Sequence, residues 1–244
     1  MDNLNNILEK FDSRRTAMIN NKKWNENAVA ECFEPCAKEI LLNGYFLINN
    51  EYIIDLGSIE LYYHEETGPI KDYIMYHRKE RVTSRIKEFN NGNLPYFEFG
   101  SMNLHQSGVD VTFENGEKEK EYRASFLIRS YRVLRKSDDI ANDIIPFDPH
   151  STHIFDDMFY TGISFNEEKK TTIEWIKLDR EKGVFNKVDL FPRQNVAKYT
   201  QNMEKVEVAK DENVQSKEIL RINGINYRRD MRPWQFKRFN IKEK

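Results

Sequence analysis

The sequence predicts an α+β protein in a single domain, with helices first and a curled, mostly antiparallel sheet after them. Three features carry that expectation. Apolar residues recur at helical spacing as far as Gly44, and beyond it the pattern changes to the alternation of strands. The chain also shows no internal repeat, glycine-rich phosphate loop or low-complexity linker at which it would divide. Its 244 residues suit one sizeable core.

Taken in order, Leu4, Ile7, Leu8 and Phe11 give a short amphipathic helix, so residues 1–25 read as an N-terminal helical extension. "NAVAECFEPCAKEILLNG" gives a second helix, with Asn27 as its expected cap and a glycine at its end. "YFLIN" and "YIIDLGSIELYY" are strands joined through a turn at Asn49-Asn50. Residues 68–90 are mixed, a loop with some helix. "PYFEFGSMNLH", "GVDVTFE" and "ASFLIRSYRVL" supply three more strands. Residues 137–222 form a divergent insertion region that starts as a polar surface loop. Within it "DDMFYTGIS", "TTIEWIKLD" and "VDLFPRQNV" are weaker runs, and "GINYRRDMRPWQFKRFNI" closes the chain as strand, basic turn, strand.

Composition narrows the function classes. With 39% hydrophobic and 32% charged residues the chain belongs among soluble globular proteins. It has no apolar run long enough for a membrane span and no signal-peptide pattern at its start, so a cytoplasmic monomer is expected. Cys32 and Cys36, one helical turn apart and without further cysteines, read as buried thiols. The five histidines lack the i, i+4 spacing with a nearby glutamate of zinc peptidases, and "HSTH" lies in a polar loop, so neither a metal nor a cofactor is expected.

Net charge is only -2, which by itself argues against a nucleic-acid binder. The charge is segregated, however. Residues 78–87 carry five basic side chains and one acidic, residues 122–136 five and none, and residues 223–244 seven and two. Convergence of the three would make a basic face; scattered, they are ordinary solvated surface.

Several side chains break the strand pattern. Counting by twos from Ile54 through Leu56 and Ser58 places Glu60 on an apolar face with Tyr62. His105 and Asp110 flank a glycine break in a hairpin, where they either satisfy one another or line a pocket. Arg129, set between apolar neighbours, calls for an anionic or carbonyl partner.

The series "CAKEILLNGYFLINNEYIIDLGSIELYY", "GSMNLHQSGVD", "ASFLIRSYRVL" and "RRDMRPWQFKRF" resembles the alkyladenine (3-methyladenine) DNA glycosylase family, in a divergent bacterial branch. The likeness covers roughly residues 30–136 and the last 18. It implies a monofunctional glycosylase, without metal or cofactor, that flips a modified base out of double-stranded DNA and hydrolyses its N-glycosidic bond. Such an activity serves base-excision repair of DNA damage, or defence against phage with modified bases. By position, Glu60 matches the water-activating carboxylate and Tyr62 the residue that stacks on the flipped base. His77, His105, Asp110 and Arg129 fall at substrate-binding positions, and His105 stands where the family has a second tyrosine. DNA contacts fall to Arg78, Lys79, Arg81, Arg228, Arg229 and Arg232, with Gln106 at the hairpin tip. Two other readings are a non-catalytic module that recognises modified or flipped bases, and an unrelated interaction domain.

Overall fold

A computed structural model describes residues 2–72, 75–79, 85–138, 140, 145–162, 167–178, 185–192, 219–222, 225–228 and 237–243. Helices α1 (Asp2–Asn20) and α2 (Glu26–Leu42) lead into strands β1 (Gly44–Ile48) and β2 (Tyr52–His64). After the short α3 (Lys87–Asn90) come β3 (Ser101–His105), β4 (Gly108–Thr112), β5 (Arg123–Arg135) and helix α4 (Ile154–Tyr160). β6 (Ile173–Lys177), β7 (Phe185–Pro192), β8 (Ile219–Ile222), β9 (Ile225–Arg228) and β10 (Lys237–Glu243) complete the described elements. The arrangement is α+β, with N-terminal helices on a curled antiparallel half-barrel.

Eight of these strands form one sheet, in the order β3-β4-β5-β2-β1-β6, with β10 joining β2 to β7. β2 is the axis of the sheet. Along one side it pairs with β5 over nearly its whole length; along the other it pairs first with β1, at Tyr52 to Ile54, and later with β10, at Ser58 to Glu60. β6 and β7 thus bring the 137–222 region into the main sheet, while β8 and β9 make a separate two-stranded ribbon.

Local chemistry explains the helix and turn ends. The α2 cap is Asn25 rather than Asn27: its side-chain oxygen accepts from the amides of Asn27 and Ala28 at 2.9 and 3.2 Å. Asn27, two residues on, is already inside the first turn. Asn49 and Asn50 both adopt positive φ, 52° and 56°, in the turn closed by the Glu51 amide on the Ile48 carbonyl, a backbone that asparagine tolerates well.

The core lies between the helices and one face of the sheet. Leu4, Leu8 and Phe11 of α1 are fully buried, so this helix is part of the core and not an appendage to it. The Phe11 ring meets Phe33, Tyr63, Phe113 and Tyr122 edge-on at 5.2–6.2 Å. Burial of such a ring stabilises the fold by about 1.5–3 kcal/mol. Arg15 of the same helix reaches under the sheet to the Tyr63 hydroxyl at 2.6 Å and the Glu65 carboxylate at 3.3 Å. No helix among the described residues is long and apolar enough to cross a membrane.

Candidate functional site

The alternation expected along β2 does not run unbroken. Pairing with β5 slips at Gly57 and again after Ser58, so that Leu56 opposes Tyr131, Ser58 opposes Ser130 and Ile59 opposes Ile128. Before this irregularity Ile54 and Leu56 enter the core; after it Ile59, Leu61 and Tyr63 do. The parity has changed. Glu60 and Tyr62 therefore leave the apolar face predicted for them and point to the opposite side, as a bulge commonly re-aims the side chains that follow it. Gly57 makes room for the slip, because a Cβ there would lie 2.6 Å from the Phe147 ring and 2.7 Å from the Ser130 hydroxyl.

That second face is polar and largely buried. Paired residues of adjacent strands share a face, so Asn103, Asp110, Leu127 and Glu60 form one row across β3, β4, β5 and β2, and the backbone of Arg238 on β10 continues it. Ser101, Thr112, Ser125 and Tyr62 form the next row. Glu60 is 3% exposed. Its Oε1 lies 3.3 Å from Arg129 Nε, and Tyr62 Oη donates to its Oε2 at 3.4 Å. Arg129 supplies the counter-charge a buried carboxylate needs. The guanidinium in turn donates from Nη1 to the Ser151 hydroxyl at 3.2 Å, which reaches the Ser107 carbonyl at 2.8 Å.

One strand pair away, His105 Nε2 lies 3.2 Å from Asp110 Oδ2, which also accepts from the Ser125 hydroxyl at 3.3 Å. The Ser107 amide donates to His105 Nδ1, which leaves the proton of a neutral ring on Nε2, facing the carboxylate. The buried Asp110 Oδ1 accepts no hydrogen bond from a described residue. Tyr76 stacks on the His105 ring at 4.4 Å, and its hydroxyl joins Ser107 and Gln106 at 3.2 and 2.6 Å. The result is a connected surface with a carboxylate beside a guanidinium and a phenol, a second carboxylate with an open acceptor, and a stacked aromatic pair. It can accept protons and bind a planar polar group.

The remaining expected residues are elsewhere. His77 gives Nδ1 to a short contact with Glu114 Oε1, sets Nε2 3.3 Å from Arg123 Nη1, and stacks on Phe97 at 4.1 Å. Arg123 is fully buried and holds Glu66, Glu114 and the carbonyls of Leu94 and Pro95, with its guanidinium over the Tyr96 ring. This network fastens the loop before β3. Burial pushes the Glu114 carboxyl up. Glu66 feels the same desolvation, yet hydrogen bonds from His64 and Arg123 outweigh it and hold the group at about 2.

Arg78 is 1% exposed, so it does not meet phosphates at the surface as expected from its basic segment. Lys79 and Gln106 are exposed. Arg81, Arg229, Arg232 and the side chain of Arg228 lie outside the described residues. The basic segment 122–136 is mainly internal. Arg123 serves the Glu66 and Glu114 network, Arg129 pairs Glu60, and Arg132 pairs the buried Asp55 at 2.9 Å under the Phe147 ring, leaving Arg135 and Lys136 at the surface.

Sequence reasoning missed Tyr76 and Ser151. Tyr76 sits in "YIMYH" with no pattern to separate it from a core aromatic, and Ser151 stood out only through the histidines around it. Compared with known families, curated proteins and solved structures, the chain matches none.

Proposed function

We propose that the protein is a monofunctional DNA glycosylase that rotates a modified base out of the duplex and releases it by hydrolysis, leaving an abasic site. The observation that carries this reading is the parity change at Gly57, which turns Glu60 out of the apolar core and sets it beside Tyr62 and Arg129, on the face that also holds Asp110 and His105. In this scheme Glu60 takes a proton from water, the resulting hydroxide bonds to the sugar C1′, and the base leaves with the electron pair of the N-glycosidic bond. The proton then passes to the departing base. Tyr62 and the Tyr76–His105 stack offer aromatic surface to an extruded base, and Asp110 Oδ1 offers an acceptor to one of its N–H groups.

Glu60→Gln tests the scheme with oligonucleotides carrying alkylated, deaminated or hypermodified bases, followed by hot alkali. Wild type should give strand breaks at the modified position, and the variant should lose about 10²–10⁴-fold in rate while still binding DNA. An active Gln variant would overturn the role of Glu60.

A second reading has its own support. A guanidinium 3.3 Å from Glu60 opposes the positive charge that develops on the sugar, and most of the 122–136 arginines are spent on internal partners. Both favour a non-catalytic module that binds modified or flipped bases. It predicts binding that is insensitive to Glu60→Gln and no breaks with any substrate.

A further inference from the structure

The segment Asp148 to His153 approaches the candidate site from above β5, and its side chains form a cluster with no part in the scheme above. Asp148 is anchored by its backbone: its amide donates to the Tyr131 carbonyl at 2.6 Å, and the Tyr131 amide donates back at 3.2 Å. The chain then turns sharply, with the His150 amide on Asp148 Oδ1 at 2.7 Å and the His153 amide on the His150 carbonyl at 3.0 Å. Both imidazoles come back over the carboxylate. His150 Nδ1 lies 3.1 Å from Oδ1, His153 Nδ1 lies 2.8 Å from Oδ2, and the rings stack at 4.7 Å.

One nitrogen from each ring and a carboxylate oxygen fall within 4.8 Å of one another. Ligands held about 2.1 Å from a common ion lie about 3.0 Å apart at right angles and about 3.4 Å apart at the tetrahedral angle. Each imidazole already sits at that scale from one of the two carboxylate oxygens, and rotation of the exposed rings would bring the nitrogens together around a common ion. His150 and His153 are 66% and 54% exposed, which leaves the cluster open to solution.

We infer that Asp148, His150 and His153 bind a divalent transition-metal ion, through the two Nδ1 atoms and the carboxylate, with the remaining positions open to water. Two imidazoles and one carboxylate suit zinc, cobalt, nickel, copper or ferrous iron better than the oxygen-seeking magnesium or calcium. Binding would need both Nδ1 atoms free of a proton, the ion taking the place of any proton now shared with the carboxylate. Ser151, between the two histidines, is the group that accepts from Arg129 and donates to the Ser107 carbonyl, so a bound ion would stiffen the loop that touches the candidate site. The metal site does not depend on the glycosylase reading.

The test uses the full chain, stripped with a chelator and free of any affinity-tag histidines. Zn(II) is titrated calorimetrically, and Co(II) is followed by visible absorption. Wild type should take up one ion per chain, show a Co(II) spectrum of a site with nitrogen ligands, and melt at a higher temperature with Zn(II) than without. The doubly substituted His150→Gln, His153→Gln chain should lose saturable binding and the zinc-dependent rise in melting temperature. Its metal-free melting temperature should fall by no more than about 4 °C, because the contacts it loses, both to Asp148, are exposed ion pairs. Absence of saturable uptake by wild type, or equal uptake by the double variant, would overturn the inference.

Discussion

Adding one carbon at Gly57 should disturb both the fold and the aim of Glu60. In Gly57→Ala the new Cβ would fall 2.6 and 2.8 Å from Phe147 Cδ1 and Cγ, and 2.7 Å from Ser130 Oγ. Real carbon contacts are not this short, so something must move. Phe147 is held over the Arg132 guanidinium at 4.8 Å, and Ser130 shares a 2.9 Å hydrogen bond with Ser58. Forcing a methyl group into such a site costs about 1–3 kcal/mol. For a chain of this length that corresponds to a fall of roughly 2–12 °C in Tm, at about 2–4 °C per kcal/mol. Calorimetry of Gly57→Ala, Phe147→Leu and the double variant separates the causes. The smaller side chain should relieve the clash, so the two changes should couple favourably by about 1 kcal/mol or more. If Gly57→Ala melts within about 0.5 kcal/mol of wild type, or Phe147→Leu gives no relief, Gly57 is not what admits the parity change.

Other outcomes follow from buried charge. Arg132→Met should cost about 3–5 kcal/mol, because it strips the guanidinium from the fully buried Asp55, whereas Asp55→Leu combined with Arg132→Met should recover most of that loss; denaturant melts of the three chains check this. The Glu66 carboxyl, held at about 2, contributes stability that is complete above the ordinary carboxylate range near 4.5 and is lost as pH falls from there through about 2. That loss amounts to about 3 kcal/mol, so Glu66→Gln should flatten the acid limb of a Tm-against-pH curve. Glu114, which burial shifts upward, acts in the opposite sense: its contribution is complete below the ordinary carboxylate range and is given up as pH rises above it, outside the window in which Glu66 acts.

Much of the framework was legible in the linear pattern. The spacing of Leu4, Ile7, Leu8 and Phe11, the switch to alternation after Gly44 and the Asn49-Asn50 turn all correspond to the observed elements. Each is set by neighbours a few residues away. "DDMFYTGIS" carried no assignment from its pattern, and Ile154–Tyr160 is helical, with Ile154 alone buried and Tyr131 holding Asp157 at 2.6 Å. A seven-residue segment has too few turns for its period to show.

The sequence by itself determined the α+β order, the helix and strand periods, and the set of polar residues that do not belong in an apolar strand. It could not determine which face they occupy, because side-chain direction in a strand is a parity count, and the irregularity at Gly57 and Ser58, a slip that reverts after Ser58, reverses every residue after it. Only the pairing of β2 with β5 reveals that slip. The partners of the arginines were hidden for the same reason: Arg123, Arg129 and Arg132 read as one basic segment, but in space each meets an acid from a distant part of the chain. Tertiary structure thus turned most of the 122–136 basic segment into internal ion pairs, and brought Glu60, Arg129, Asp110 and His105 onto one surface.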